Sequence, residues 1–97
     1  MFRHVVIFSW TEAATTEQRN AAVVALQEWG EAARDYGTLT VGADAGLNEG
    51  NGNVVVIVDF PDRDRYRAYA ADGRHEAMLV VYIRPILGSR CAVQHEF

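Results

Sequence analysis

The 97-residue sequence predicts an α+β fold in which strands and helices follow one another in the order βαββαβ. Three observations indicate this order. β-Branched and aromatic residues are concentrated near the start, the middle and the end of the chain, a long helical pattern follows the first of these segments, and a second helix start follows the middle one. The order is that of the ferredoxin-like fold, a four-stranded antiparallel sheet with its helices on one face.

The first strand is predicted over Phe2–Trp10. Its centre is rich in β-branched residues, and a period of two places His4, Val6, Phe8 and Trp10 on one face. The alternate residues do not form a clean polar face. Both faces of this strand are therefore expected to be covered in the assembled protein.

The first helix is predicted to begin at Thr15 or Thr16, because residues 15–18 fit a capping box. Apolar residues then recur at helical spacing: Ala22, Val23, Leu26, Trp29 and Ala33. Gly37 is a suitable residue to end this helix.

The middle of the chain predicts two strands joined by a turn. The first, Leu39–Ala45, contains Gly42, which indicates a bulge or a close backbone approach. Residues 48–53 (NEGNGN) are rich in Asn and Gly, which favour a turn. The second strand, Val54–Phe60, has five β-branched residues and is predicted to be buried on both faces.

A second helix is predicted after Asp62, which would cap it. Tyr66 and Tyr69 lie three residues apart on this helix and therefore share a face. Residues 72–73 (DG) break it. The segment Arg74–Leu87 is ambiguous, because Leu79–Ile83 fits a strand by propensity, while its position before a Pro and a Gly also suits a short helix.

A final strand is predicted over Arg90–Phe97. It is expected to pair antiparallel with the first strand, which would bring His95 close to His4. Glu96 would then lie on the opposite face, and no third ligand is evident. No metal site is therefore predicted.

Composition narrows the class of protein. With one Cys and only 97 residues, the chain is expected to be a single domain over residues 1–97 that needs a partner subunit for stability. The net charge of -4 argues against nucleic-acid binding. No apolar run reaches the ~18 residues of a membrane span, so the chain is expected to be cytoplasmic.

Four segments carry a resemblance to a known family, and together they cover nearly the whole chain. They are residues 4–10 (HVVIFSW), 56–60 (VIVDF), 69–75 (YAADGRH) and 83–90 (IRPILGSR). In their order and spacing they resemble the stress-responsive A/B-barrel family of dimeric α+β barrels. The resemblance implies a homodimer in which two four-stranded sheets pack against each other, and it implies a mostly helical conformation for Glu76–Leu87.

The resemblance also implies a set of possible activities. The family includes olivetolic acid cyclase, which closes a linear polyketide by an intramolecular aldol reaction, and stress-induced oligomers with no established chemistry. Cyclase-type members use a Tyr and a His six positions apart, which correspond to Tyr69 and His75, and their first-strand His corresponds to His4. The chain departs from the family pattern at Val54, where some members have a His, and at 72–73, where the family often has His-Pro.

The chemistry of these residue types fits an aldol cyclase. Such an enzyme needs a base near neutral pH and a donor for the developing enolate oxygen. We assign His75 as the base and Tyr69 as the group that orients it or holds the oxyanion; the alternative is that His75 caps a helix. The expected binding pocket for a small hydrophobic or aromatic molecule is lined by His4, Phe8, Trp10, Leu26, Tyr66 and Tyr82.

Three functions remain open from the sequence. The first is a cofactor-independent, polyketide cyclase-like enzyme. The second is a non-catalytic, stress-associated or small-molecule-binding dimer in which Tyr69 and His75 are structural. The third is a cofactor-free monooxygenase acting on an electron-rich phenol.

Overall fold

The computed structural model describes all 97 residues and confirms the ferredoxin-like fold. Its strands are β1 (Phe2–Trp10), β2 (Thr38–Ala43), β3 (Val54–Phe60) and β4 (Leu87–Glu96). Its helices are α1 (Thr16–Ala32), α2 (Arg63–Ala71) and α3 (Gly73–Met78). A π-helical turn (Leu79–Ile83) and a 3₁₀ turn (Arg84–Ile86) connect α3 to β4. None of the helices is long and apolar enough to cross a membrane.

The sheet has the strand order β2-β3-β1-β4, and all neighbouring strands are antiparallel. The even-numbered residues of β1 and β3 face the helices and are buried. Helix α1 contributes Leu26 and Trp29 to the same core. The hydrophobic core therefore lies between one sheet face and the helices, and no second layer covers the other sheet face within a single chain.

The predicted start of α1 is confirmed. Thr15 Oγ1 accepts a hydrogen bond from Gln18 N at 3.1 Å, and Thr15 N donates one to Gln18 Oε1 at 2.9 Å. The helix ends at Ala32, and a short turn separates it from Gly37. A Cβ atom at Gly37 would collide with the backbone carbonyl of Asp59, so this glycine permits a close approach to β3.

Two predictions about the strands are wrong in detail. Gly42 pairs regularly with Val55, and the irregular pairing lies instead between Ser9 and Trp10 at the end of β1. A Cβ atom at Gly88 would lie 3.1 Å from the Ser9 carbonyl oxygen, so the close backbone approach is there. Strand β3 is buried on one face only within the chain, and its other face is half-buried.

The prediction that His95 approaches His4 is wrong. In the β1–β4 register His4 faces Gln94, and His95 faces Arg3 on the uncovered side of the sheet. Glu96 faces Phe2 and lies on the same side of the sheet as His4. The strand itself is confirmed, but it begins at Leu87, three residues before the predicted start at Arg90. The sequence pattern does not define which residue of β4 stands opposite which residue of β1.

Candidate functional site

The residues expected to act chemically meet at a cavity of about 180 Å³ between the inner sheet face and the helical segment from α2 to the 3₁₀ turn. Its wall is largely apolar, with Val6, Val56 and Ile83 among the lining residues. The lining residues that carry polar groups are His4, Tyr66, Tyr69, His75, Arg84 and Arg90.

A one-residue interruption of the helix positions His75. Asp72 has φ -66° and ψ 125°, so it ends α2 in an extended conformation and serves as the N-cap of α3. The chain changes direction there, and the ring of His75 comes to lie 4.9 Å from the ring of Tyr69, measured between centroids. The break predicted at residues 72–73 therefore brings the two side chains together.

Asp72 is held by a dense set of hydrogen bonds. Its carboxylate accepts one from Arg74 N at 2.9 Å, one from Tyr36 Oη at 2.8 Å, and two from the Arg74 guanidinium. The Arg74 side chain and backbone N–H, with the Tyr36 hydroxyl, hold the pKa of Asp72 well below its usual range. The interruption is thus anchored from three directions.

Trp29 of α1 is the third ring of this cluster. Its ring centroid lies 5.3 Å from that of Tyr69 and 5.5 Å from that of His75. Its Nε1 atom is buried and has no hydrogen-bond partner. The indole fixes one side of the Tyr69–His75 pair.

The cavity holds His4, His75 and Tyr69 in their neutral forms at neutral pH. Burial lowers the pKa of His75, although the Ala70 carbonyl opposes the shift. Burial, together with the nearby charge of Arg90, lowers the pKa of His4 to about 4. Burial also raises the pKa of Tyr69 to about 12. Two neutral imidazoles, of His4 and His75, and the protonated phenol of Tyr69 therefore line the same cavity.

Gln94 defines the hydrogen-bonding state of His4. Its Nε2 atom lies 3.0 Å from His4 Nδ1. With the amide nitrogen donating, Nδ1 is the acceptor and His4 carries its proton on Nε2. The other side of the imidazole packs against Tyr66, with ring centroids 5.1 Å apart.

Two arginines face the cavity in different electrostatic situations. The guanidinium of Arg84 forms two hydrogen bonds to the carboxylate of Glu76, at 2.6 and 3.0 Å. Arg90 lies on β4 directly opposite Phe8 and is exposed to solvent. The positive charge of Arg84 is therefore compensated, whereas Arg90 has no such partner.

The structure places three of the expected pocket residues away from this cavity. Trp10 is buried and stacks on Phe8, with centroids 5.7 Å apart. It lies two residues beyond Phe8 on β1 and does not line the cavity. Leu26 is buried under α1 in the core. Tyr82 is 45% exposed on the outside of the helical layer, near Trp29. Phe8 and Tyr66, with His4, do line the cavity as expected.

Sequence reasoning missed Arg84 and Arg90 as cavity residues and Gln94 as the partner of His4. The only signal in the sequence is the period of two along β4, which places Gln94 and Arg90 on one face and His95 on the other. This alternation does not indicate which of the two faces is turned toward the helices. No group of three or more His, Cys, Asp or Glu side chains lies close enough together to hold a metal ion.

The sequence was compared with models of known protein families and with curated proteins. The model of the stress responsive A/B barrel domain matches residues 2–97. A search of curated proteins gives no match.

Solved structures share the fold over nearly the full chain. A dimeric ferredoxin-like protein of unknown function from Thermobifida fusca is 33% identical, with a TM-score of 0.88 over 99% of this chain and 90% of that chain. An antibiotic biosynthesis monooxygenase is 14% identical, with a TM-score of 0.77 over 100% and 98%. The hydroxynitrile lyase of Passiflora edulis is 10% identical, with a TM-score of 0.81 over 97% and 90%. The last two show the fold alone.

Proposed function

Because the chain belongs to the stress responsive A/B barrel domain family, we propose that it is a small cofactor-independent enzyme of the polyketide cyclase type. The substrate is a linear β-polyketide or a related β-dicarbonyl compound, and the reaction is an intramolecular aldol cyclisation. The observation that carries the proposal is the close pair of Tyr69 and His75, whose rings lie 4.9 Å apart between centroids on the wall of an apolar cavity.

The protonation states fit the two roles that the reaction requires. The lowered pKa of His75 keeps its imidazole unprotonated at neutral pH, so that it can accept a proton. The raised pKa of Tyr69, about 12, keeps its hydroxyl protonated, so that it can donate a hydrogen bond. A base and a hydrogen-bond donor thus stand side by side.

The reaction begins when the unprotonated nitrogen of His75 removes a proton from the carbon between two carbonyls. The electron pair moves onto a carbonyl oxygen, and Tyr69 donates a hydrogen bond to this enolate. The enolate carbon then attacks a distant carbonyl carbon of the same chain and forms the ring bond. The new alkoxide takes the proton from the imidazolium, which returns His75 to its neutral form.

His4 supplies a second donor in this scheme. With Gln94 donating to Nδ1, the Nε2–H group is available to a substrate oxygen. The low pKa of His4, about 4, keeps the ring neutral, so its function is to orient a carbonyl and not to transfer a proton.

The proposed enzyme is a homodimer formed by sheet-to-sheet packing. The uncovered sheet face carries apolar side chains from three strands, including Ile7, Ile57 and Val93. Ile7 is 41% and Val93 60% exposed in the single chain. A face of this kind needs a covering layer, and a second copy of the sheet supplies one.

The test uses a linear tetraketide thioester, in which the carbon between the first two carbonyls can attack the fourth carbonyl carbon and close a six-membered ring, and measures the cyclised product by mass spectrometry. His75→Ala is expected to abolish product formation above the uncatalysed rate, and Tyr69→Phe is expected to lower it by about 10²-fold. Tyr82→Phe is the matched control, because Tyr82 lies on the outside of the helical layer and away from the cavity. Full activity of His75→Ala would refute the mechanism. Equal binding by all variants without turnover would favour a non-catalytic binding dimer.

A further inference from the structure

We propose that the cavity takes a ligand with a free carboxylate, which pairs with the Arg90 guanidinium while a single ring or short chain occupies the apolar interior. This inference deepens the proposed function and rests on it for the role of the cavity as a binding site. It predicts that, among small ligands of this cavity, an acid binds in preference to the matched neutral ester or amide.

The first observation is the hydrogen bonding of the arginines. The chain has nine basic residues, all of them arginine. Eight donate a side-chain hydrogen bond to a carboxylate or a backbone carbonyl within the chain. Arg90 is the one arginine that donates none. Arg90, the one arginine without such a hydrogen bond, lines the cavity.

The second observation is that the nearby carboxylates are already engaged. On the inner row of β4, Glu96 pairs with Arg63. Across the cavity, Glu76 pairs with Arg84 through both of its oxygens. No carboxylate of the chain therefore reaches Arg90, although a guanidinium is well suited to bind one through two parallel hydrogen bonds.

The third observation concerns the charge balance of the cavity. His4, His75 and Tyr69 are neutral at neutral pH. The Arg84 charge is compensated by Glu76. The guanidinium of Arg90 is the only uncompensated charge on the wall, and it lies close enough to His4 to lower the pKa of that ring. A ligand with one negative charge would make the occupied cavity electrically neutral.

The size of the cavity limits the rest of the ligand. Its volume is about 180 Å³, slightly more than the ~150 Å³ that accommodates benzene in an apolar cavity. On the same sheet face as Arg90, Phe8 lies beside it across the strand pair, and Val6 is the next residue of β1 on that face. An aromatic ring or a chain of similar volume fits this space, with the acid group at the exposed edge.

The experiment compares 3-phenylpropionate with 3-phenylpropionamide, which differ in charge and hardly in size. Dissociation constants are measured by NMR titration of the unmodified protein, Arg90→Gln, Arg90→Lys and Arg34→Gln. Arg34 is the matched control, because it is an exposed arginine just after α1 and does not line this cavity. The acid is expected to bind the unmodified protein at least about tenfold more tightly than the amide. Arg90→Gln is expected to remove this preference, and Arg90→Lys to retain part of it.

The outcomes separate this inference from the proposed reaction, because binding is measured without turnover. An unchanged preference for the acid in Arg90→Gln would overturn the assignment to Arg90, and equal binding of acid and amide to the unmodified protein would overturn the carboxylate. Failure of both compounds to bind would contradict the binding role of the cavity and, with it, the inference. Loss of cyclisation with an intact acid preference would instead refute the reaction alone.

Discussion

The ring of His75 lies 4.9 Å from the ring of Tyr69, although six positions separate the two residues in the sequence. On a continuous helix a separation of six positions would rotate the second side chain away from the first, since each turn takes about 3.6 residues. The extended conformation of Asp72 breaks the helix and removes this obstacle. The candidate site therefore depends on one carboxylate that is not part of the proposed chemistry.

Replacing Asp72 tests this dependence. Asp72→Ala removes the cap of α3 and the partners of Arg74 and Tyr36, so the free energy of unfolding is expected to fall by about 1–2 kcal/mol. Urea denaturation measures the change. Asp64→Ala is the control, because Asp64 forms only an exposed pair with Arg67 and its loss is expected to cost about 0–0.5 kcal/mol. Equal effects of the two substitutions would show that Asp72 does not anchor the break.

Gln94 is expected to determine the titration of His4. Gln94→Glu places a carboxylate beside Nδ1 in place of an amide that lies 3.0 Å away, and a negative charge stabilises the imidazolium. The pKa of His4 should therefore rise from its value of about 4. Gln94→Leu is the control and should leave the pKa low, because burial remains. NMR titration of the His4 ring gives both values, and an unchanged pKa in Gln94→Glu would exclude the contact.

The buried histidines make stability depend on pH in a defined direction. The folded-state pKa of His4, about 4, lies below the unfolded value of 6.5. The unfolded chain therefore binds more protons between pH 6.5 and 4, and the stability present above pH 6.5 is lost as the pH falls through this window. His4 alone contributes at most about 3 kcal/mol to this loss.

The contribution of His4 is measured as the difference in pH dependence between His4→Gln and the unmodified protein. Urea denaturation of His4→Gln between pH 7 and pH 4 should show a shallower loss of stability than the unmodified protein. If His4→Gln loses stability as steeply as the unmodified protein, then His4 is not buried in its neutral form.

Substitution by alanine should change the free energy of unfolding in opposite directions at two glycines. A Cβ atom at Gly73 meets nothing within 4 Å, and the residue is the first of α3, so Gly73→Ala should raise the free energy of unfolding by about 0.4–1 kcal/mol. A Cβ atom at Gly37 collides with the carbonyl of Asp59, so Gly37→Ala should lower it by more than about 1 kcal/mol. Thermal denaturation measures both, and a stabilising Gly37→Ala would contradict the close approach to β3.

Local signals in the sequence were sufficient for most elements of the fold. The capping box at Thr15 and the β-branched run Val54–Phe60 each depend on neighbouring residues, and the structure places both where the pattern predicts. The segment Leu79–Ile83 has the propensity of a strand but is helical, as the family resemblance implied. Packing against α1 and β1 overrides a propensity difference of less than about 1 kcal/mol per residue.

The candidate site was less accessible to sequence reasoning, because it depends on register. The alternation along β4 is clear, but nearly every residue of this strand is exposed in the single chain, so no buried face indicates which set points inward. His95 was therefore expected where Gln94 stands. For the same reason, the sequence does not indicate that Arg90 faces the cavity.

The central claim is that unprotonated His75 removes the proton that starts the reaction. The most direct test is the pH dependence of kcat/KM for cyclisation of the tetraketide thioester between pH 4 and pH 8. Because the pKa of His75 is lowered, we expect the rate to be constant near neutral pH and to fall only below pH 6.5. A rate that does not fall on acidification, or that already falls above pH 6.5, would contradict the account.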